Sequence, residues 1–89
     1  MENLFLGCQS LKTLDLRNFN TSSVETMTNM FVNCVNLDSI DLSSFNTINV
    51  KRMNQMFKNC NKLKSLDLKH FYTPKLESVA QLFYGCTDL

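Results

Sequence analysis

Tryptophan is absent from the chain, and its 89 residues include two glycines, one proline and one histidine. So little glycine and proline leaves no stretch with the composition of a flexible linker, which excludes a second, separately folded domain. Charge of one sign is not concentrated anywhere, because the net charge is +1 and the nine basic residues are scattered. We therefore expect no nucleic-acid partner and no attraction to anionic membranes, both of which need a basic patch.

Long apolar runs are missing as well. None approaches the roughly 20 residues that span a bilayer, so we expect no membrane insertion of this segment. The opening "MENLFLGC" carries an acidic residue at position 2 and has no long apolar core, so it does not have the pattern of a signal peptide.

Patterns that carry chemistry are equally sparse. The cysteines lack the paired C-x-x-C spacing of a zinc site, and there is no glycine-rich phosphate loop. His70 is the only histidine, so a Cys–His dyad would need a buried cysteine brought to it across the chain. We predict that the protein is not an enzyme and has no catalytic residues, no metal site and no cofactor.

What the chain does have is an internal repeat with a period of 26. The four cysteines, Cys8, Cys34, Cys60 and Cys86, follow this period without a break, and segments 9–34 and 35–60 agree at 12 of 26 positions. The phenylalanines form two columns with the same period: Phe5, Phe31, Phe57, Phe83, and Phe19, Phe45, Phe71. We divide the chain into a partial repeat 1–8, repeats 9–34, 35–60 and 61–86, and the start of another at 87–89, all in one domain. The missing caps at both ends lead us to expect neighbouring repeats of a longer array as partners.

Each copy predicts one strand and one helix. The motif L-x-x-[LI]-D-L alternates apolar and polar residues, which favours strands near 13–17, 39–43 and 65–69. Apolar residues at helical spacing favour helices near 22–32, 48–58 and 74–84, with the tail of another at 1–6. Thr21, Thr47 and the pair Thr73–Pro74 are typical of helix N-caps. The column Gly7, Asn33, Asn59, Gly85 is typical of a left-handed residue that ends a helix.

Repetition of this unit predicts an α/β fold, a right-handed solenoid in which Leu16, Leu42 and Leu68 lie side by side on parallel strands. Phe31 should be buried, and the cysteines should form a stacked core column, since free cysteine is among the most buried residue types.

The fuller wording, "MFxxCxxLxxLDLSxFNTxxVxxM", resembles the BspA-like leucine-rich-repeat surface proteins, which recur in bacterial surface proteins, mycoplasma lipoproteins and some protozoan parasites. The resemblance covers essentially the whole chain, although Tyr72, Val79 and Leu82 depart from it in the third copy. It implies a leucine-rich-repeat solenoid with the parallel sheet on the concave side and short helices on the convex side. It also implies a location at the cell surface or outside the cell, and attachment to host proteins or neighbouring cells.

The polar residues of the strand motif should point out of the sheet and form the ligand-binding face. We call these nine residues the polar row: Thr13, Asp15, Arg17, Ser39, Asp41, Ser43, Ser65, Asp67 and Lys69. Its aspartates could accept hydrogen bonds from neighbouring turns, contact a ligand or bind a cation. Tyr72, Tyr84 and His70 could be solvated surface or interface anchors.

A small and polar row favours contact with an extended protein surface over a small-molecule pocket. We therefore expect a binding module for protein partners. A structural spacer without ligand contact and an intracellular scaffold are the alternatives.

Overall fold

The computed structural model describes residues 1–89 and contains no α-helix and no β-strand. Its backbone consists of turns, bends and extended connections, and strand-like pairing is limited to two isolated parallel bridges, Thr26 with Arg52 and Arg52 with Ser78. The chain folds into a globule of 30 × 27 × 22 Å. The predicted α/β class, the right-handed solenoid, its parallel concave sheet and its convex helices are therefore wrong.

Runs of tight turns replace the helices predicted near 1–6, 22–32, 48–58 and 74–84. We call residues 1–7, 27–33, 53–59 and 79–85 the turn runs. Their local hydrogen bonds join residues three apart, as in Met30 N to Met27 O at 3.3 Å, instead of the four-residue spacing of an α-helix. One residue near the start of each run has a positive φ, from 56° to 61°: Asn3, Asn29, Gln55 and Gln81. A left-handed residue at that place is incompatible with a continuous right-handed helix.

The turn runs bond to one another instead. Alternate N–H groups of the first three runs donate to carbonyl oxygens of the following run, as in Phe5 N to Met30 O at 2.9 Å and Phe31 N to Met56 O at 2.8 Å. These bonds satisfy the backbone groups that a helix would satisfy internally. They also place equivalent residues of successive repeats against each other.

The segments predicted as strands, 13–17, 39–43 and 65–69, are not paired with one another. No backbone hydrogen bond joins them, and the nearest one runs from Asp38 N to Lys12 O at 2.9 Å. The alternation still gives the correct faces, because Leu16 and Leu42 are buried and Leu68 is half-buried. Their placement on adjacent parallel strands is wrong.

The core consists of the repeated apolar columns. Phe31 is fully buried, and its ring stacks on Phe5 and on Phe57 with centroids 5.4 Å apart in both pairs. Cys34 and Cys60 are also fully buried, while Cys8 and Cys86 are half-buried near the two ends. The predicted burial of Phe31 and of the central cysteines is confirmed.

The threonines predicted as N-caps join successive repeats. Thr21 is 1% exposed; its Oγ1 donates to Asn46 O at 2.9 Å and accepts from Asn46 N at 2.8 Å. Thr47 makes the same pair of bonds with Tyr72 O, at 3.0 Å, and Tyr72 N, at 3.1 Å. The N-cap prediction is wrong, because no helix begins at these residues or at Thr73.

The column of left-handed residues is confirmed, but these residues end turn runs and not helices. Gly7, Asn33, Asn59 and Gly85 have φ values of 73°, 62°, 61° and 78°. Each ends a turn run where the sequence predicts the end of a helix. Asn59 Nδ2 donates to Asn33 Oδ1 at 2.9 Å, so the side chains of this column also link two repeats.

Candidate functional site

All nine residues of the polar row are exposed. They lie on segments that pack a leucine or isoleucine inward at alternate positions, which directs the intervening polar side chains to the surface. The structure thus places the predicted binding residues where a partner can reach them. It contains no partner, so their role in binding stays a prediction.

Each aspartate of the row closes a small turn of its own. Asp15 Oδ1 accepts from Arg17 N at 3.0 Å, Asp41 Oδ1 accepts from Ser43 N at 2.9 Å, and Asp67 Oδ1 accepts from Lys69 N at 2.9 Å. A carboxylate that bonds the backbone N–H two residues later forms an Asx turn. The aspartates therefore have a structural role, but they accept hydrogen bonds within their own turns and not from neighbouring turns.

The three carboxylates differ in their charge partners. Arg17 Nη2 lies 2.8 Å from Asp15 Oδ2 and Arg17 Nε lies 2.9 Å from Asp15 Oδ1, a two-point contact. The hydrogen bonds from Arg17 lower the pKa of the Asp15 carboxyl to about 2. Lys69 Nζ lies 3.6 Å from Asp67 Oδ2, and the Lys69 N–H is the main cause that lowers the pKa of Asp67.

Asp41 has no cation within ion-pair distance of its carboxylate. Its pKa is lowered chiefly by hydrogen bonds from Ser43, with a smaller attraction from His70 and an opposing repulsion from Asp15. It is therefore ionised at neutral pH, and it is the carboxylate of the row that is most available to a partner's cation.

One surface cleft of about 260 Å³ brings part of the row together. Its lining is formed by two successive copies of the strand-like segment: Ile40, Asp41, Leu42, Ser43, Asp67, Lys69 and His70. Four residues of the polar row are thus grouped, while Thr13, Asp15, Arg17, Ser39 and Ser65 lie outside the cleft. His70, for which the sequence leaves solvated surface or an interface anchor open, also lines the cleft, directly after Lys69 in the same exposed turn.

The thiols of the two central cysteines are buried and bonded to backbone carbonyls. Cys34 Sγ donates to Phe5 O at 3.2 Å and Cys60 Sγ donates to Phe31 O at 3.2 Å, so each thiol ties two repeats together. Burial raises the pKa of Cys34, and it raises that of Cys60 to about 12, which keeps both protonated at neutral pH. No group of three or more His, Cys, Asp or Glu side chains is arranged to hold a metal ion.

A family model described as "Mycoplasma protein of unknown function, DUF285" matches residues 1–89. The chain belongs to the DUF285 family. Comparisons of this DUF285 chain with curated proteins and with solved structures find no match. In the structure of this DUF285 protein, no helix has the length and apolar character needed to cross a membrane.

Proposed function

We propose that this DUF285 chain is a protein-binding module of a cell-surface protein related to the BspA-like surface proteins. The module would attach to host proteins or to proteins of neighbouring cells through its polar row. The motif wording and the mycoplasma family support this proposal, since mycoplasma lipoproteins are among the proteins that the wording resembles. A surface or secreted location is part of the same proposal.

The observation that carries the proposal is the exposed, preorganised polar row. The concave sheet on which the sequence predicts this row is absent, so curvature gives the proposal no support. What supports it is that Asx turns hold the carboxylates of Asp41 and Asp67 in fixed positions beside one cleft. Side chains already ordered before binding lose less conformational entropy on association. The cleft is lined mostly by polar residues, which suits a protein side chain better than a buried small molecule.

A specific observation also favours the alternative, a structural spacer. Asp15 and Arg17 form an ion pair with each other. Most hydrogen bonds that involve side chains join one repeat to another. A chain whose polar groups serve its own stacking could separate other parts of an array without touching a ligand. The experiment therefore has to distinguish these two functions.

We would compare the wild-type chain with the double variant Asp41→Asn, Asp67→Asn. Asparagine keeps an Oδ1 acceptor for the N–H of Ser43 and of Lys69, so the turns remain while two charges are lost. Binding would be measured by biolayer interferometry against a panel of purified extracellular-matrix and cell-surface proteins of animal cells. The matched control is Asp88→Asn, an exposed carboxylate outside the polar row.

A partner that uses the polar row should lose at least about tenfold in affinity with the double variant and keep full affinity with the control. Thermal unfolding of all three proteins should coincide. Full capture by the double variant would favour the spacer. Labelling of intact cells with an antibody, lost after protease treatment from outside, would support the surface location.

A further inference from the structure

The three copies of the strand-like segment differ at the position two residues after the aspartate. The first copy has Arg17 there and the third has Lys69, and each of these cations pairs with the aspartate of its own copy. The second copy has Ser43, whose N–H donates to Asp41 Oδ1 at 2.9 Å but which brings no charge. The second copy therefore lacks the cation that the other two supply to their own aspartates.

The cleft of about 260 Å³ lies beside this uncharged position. Residues 40–43 line it from one repeat, and residues between 67 and 70 line it from the next. A water molecule occupies about 30 Å³, so the cleft has room for a protein side chain. None of its lining belongs to the turn runs 1–7 and 79–85 at the two ends of the chain.

The charges of the lining leave one carboxylate without a counterpart. Lys69 Nζ lies 3.6 Å from Asp67 Oδ2, so these two groups offset each other, whereas Asp41 has no cation within ion-pair distance. Arg17 does not fill this place, because its guanidinium makes a two-point contact with Asp15. Asp15 is accordingly the main cause that raises the pKa of Arg17, and Asp41 contributes less. At neutral pH the cleft is complementary to a single positive charge.

A basic side chain fits this lining better than a metal ion. A divalent cation needs several oxygen ligands, and no group of three or more His, Cys, Asp or Glu side chains is arranged to hold one. Ile40 is half-buried in the cleft wall, and its exposed part offers apolar surface to the methylene groups of a long basic side chain.

The first copy indicates which basic side chain. Asp15 closes the same Asx turn as Asp41, and it still accepts two bonds from the guanidinium of Arg17, at 2.8 and 2.9 Å. The planar guanidinium contacts a carboxylate at two points, whereas the ammonium of lysine acts as a point charge. The pair of Arg17 with Asp15 therefore shows how a guanidinium can lie on Asp41.

We propose that the cleft binds one arginine side chain of a protein partner, with the Asp41 carboxylate accepting its guanidinium. The inference rests on the proposed binding function and adds the chemistry of the partner, which is an exposed arginine. The contact is an exposed ion pair, so it supplies specificity and a modest share of the affinity. The remaining polar row is left to contact the surface around that arginine.

Three blocked tripeptides test the cleft directly. They are acetyl-Gly-Arg-Gly-amide and its two matched forms, one with lysine and one with citrulline, which has the shape of arginine without the charge. Each would be titrated into isotope-labelled protein at low salt and followed by amide NMR signals. The arginine peptide should shift the signals of residues 40–43 and 67–70, with a dissociation constant of about millimolar size. The lysine peptide should bind more weakly, and the citrulline peptide should leave these signals unchanged.

The variant Ser43→Arg copies the first repeat into the second. The introduced arginine should lie on Asp41 as Arg17 lies on Asp15, so the arginine peptide should lose at least about fivefold in affinity. Asp41→Asn should cause a similar loss, because asparagine keeps the Oδ1 acceptor for the turn and removes the charge. Asp88→Asn, an exposed carboxylate outside the polar row, is the matched control and should bind like wild type. Circular dichroism would check the folding of each variant.

Three results would overturn the inference: no shift in the cleft at peptide concentrations far above millimolar, equal affinity for the three peptides, or full affinity with both Ser43→Arg and Asp41→Asn. A protein partner that loses affinity with the double variant while the arginine peptide leaves the cleft unchanged would also overturn it, and the proposed function would stand. Peptide binding in the cleft without capture of any protein of the panel would support the inference and count against the proposed function.

Discussion

Replacement of Thr47 by valine tests how the repeats are joined. The Thr47 side chain is 2% exposed, and its hydroxyl donates to Tyr72 O and accepts from Tyr72 N across the repeat boundary. Valine has nearly the same shape and fills the same space, so no cavity is left. The substitution removes both hydrogen bonds and leaves two backbone groups without these partners.

The magnitude follows from those two bonds. Each contributes about 0.5–1.5 kcal/mol to the free energy of unfolding, so we expect Thr47→Val to lower it by about 1–3 kcal/mol. In a domain of this size each kcal/mol lowers the midpoint of thermal unfolding by about 4–8 °C. Thr21→Val should have a similar effect, because Thr21 makes the same pair of bonds with Asn46.

The third threonine of the column is the matched control. Thr73 is half-buried, and its hydroxyl makes neither of the cross-repeat hydrogen bonds that Thr21 and Thr47 make, so Thr73→Val should leave the free energy of unfolding within about 0.5 kcal/mol of wild type. If the three threonines were instead N-caps of helices, each of the three substitutions would lower the free energy of unfolding by about 1 kcal/mol. Urea unfolding, followed by circular dichroism and by tyrosine fluorescence, would measure all three variants. An equal loss at all three positions, or no loss for Thr47→Val, would refute the cross-repeat role.

Three further predictions concern titration and backbone strain. Burial raises the pKa of Cys60 from 9.0 to about 12. The protonated thiol therefore contributes stability below pH 9, and this contribution is lost as the pH rises toward 12. Cys60→Ala should reduce the dependence of urea unfolding on pH in that range. The lowered pKa of Asp15 gives a contribution to stability that is present above pH 3.8 and lost as the pH falls toward 2. Arg17→Ala should move the midpoint of the carboxyl-carbon NMR titration of Asp15 from about 2 toward 3.8. Gln55 has a φ of 58°, so Gln55→Gly should raise the free energy of unfolding by up to about 1 kcal/mol, whereas Gln9→Gly, where φ is not positive, should lower it or leave it unchanged in the same urea titration.

The sequence predicted which side chains are buried because repetition alone decides that question. Any path that returns once in every repeat places Phe31 beside Phe57 and Cys34 beside Cys60, whatever the backbone does in between. Burial of these columns was therefore predicted correctly together with a wrong secondary structure. The left-handed column at Asn33 and Asn59 was also found, since asparagine and glycine tolerate that conformation.

The helices were mispredicted because a turn run has a similar apolar spacing. Met27, Met30 and Phe31 lie inward in a series of three-residue turns as they would in a helix. The feature that distinguishes the two is the second left-handed column, and its signal is weak because two of its four members, Gln55 and Gln81, are residue types that rarely adopt a positive φ.

The site was predictable at the level of single residues and not at the level of the cleft. Alternation with buried leucines identified the exposed polar row. The grouping of Asp41 with Asp67 and His70 depends on how two segments of different repeats sit side by side. The predicted sheet sets these segments side by side as paired strands, and they are not paired in the structure. The cleft could therefore not be derived from the repeat alone.

The missing sheet has its own explanation in the side chains between the repeats. On the side of the turn runs, backbone groups join successive repeats. On the side of the polar row, side chains supply most of the links, beside the backbone bond from Asp38 N to Lys12 O. Ser44 Oγ donates to Leu16 O at 2.8 Å, Asn49 Nδ2 donates to Ser22 O at 2.7 Å, and Asn36 Nδ2 donates to Gln9 O at 2.6 Å. The first of these bonds satisfies a backbone acceptor, Leu16 O, that a strand ladder would otherwise use. Because a single side chain holds each of these contacts, substitution at Ser44 or Asn49 removes the link outright, which a change of side chain in a backbone-paired strand would not do.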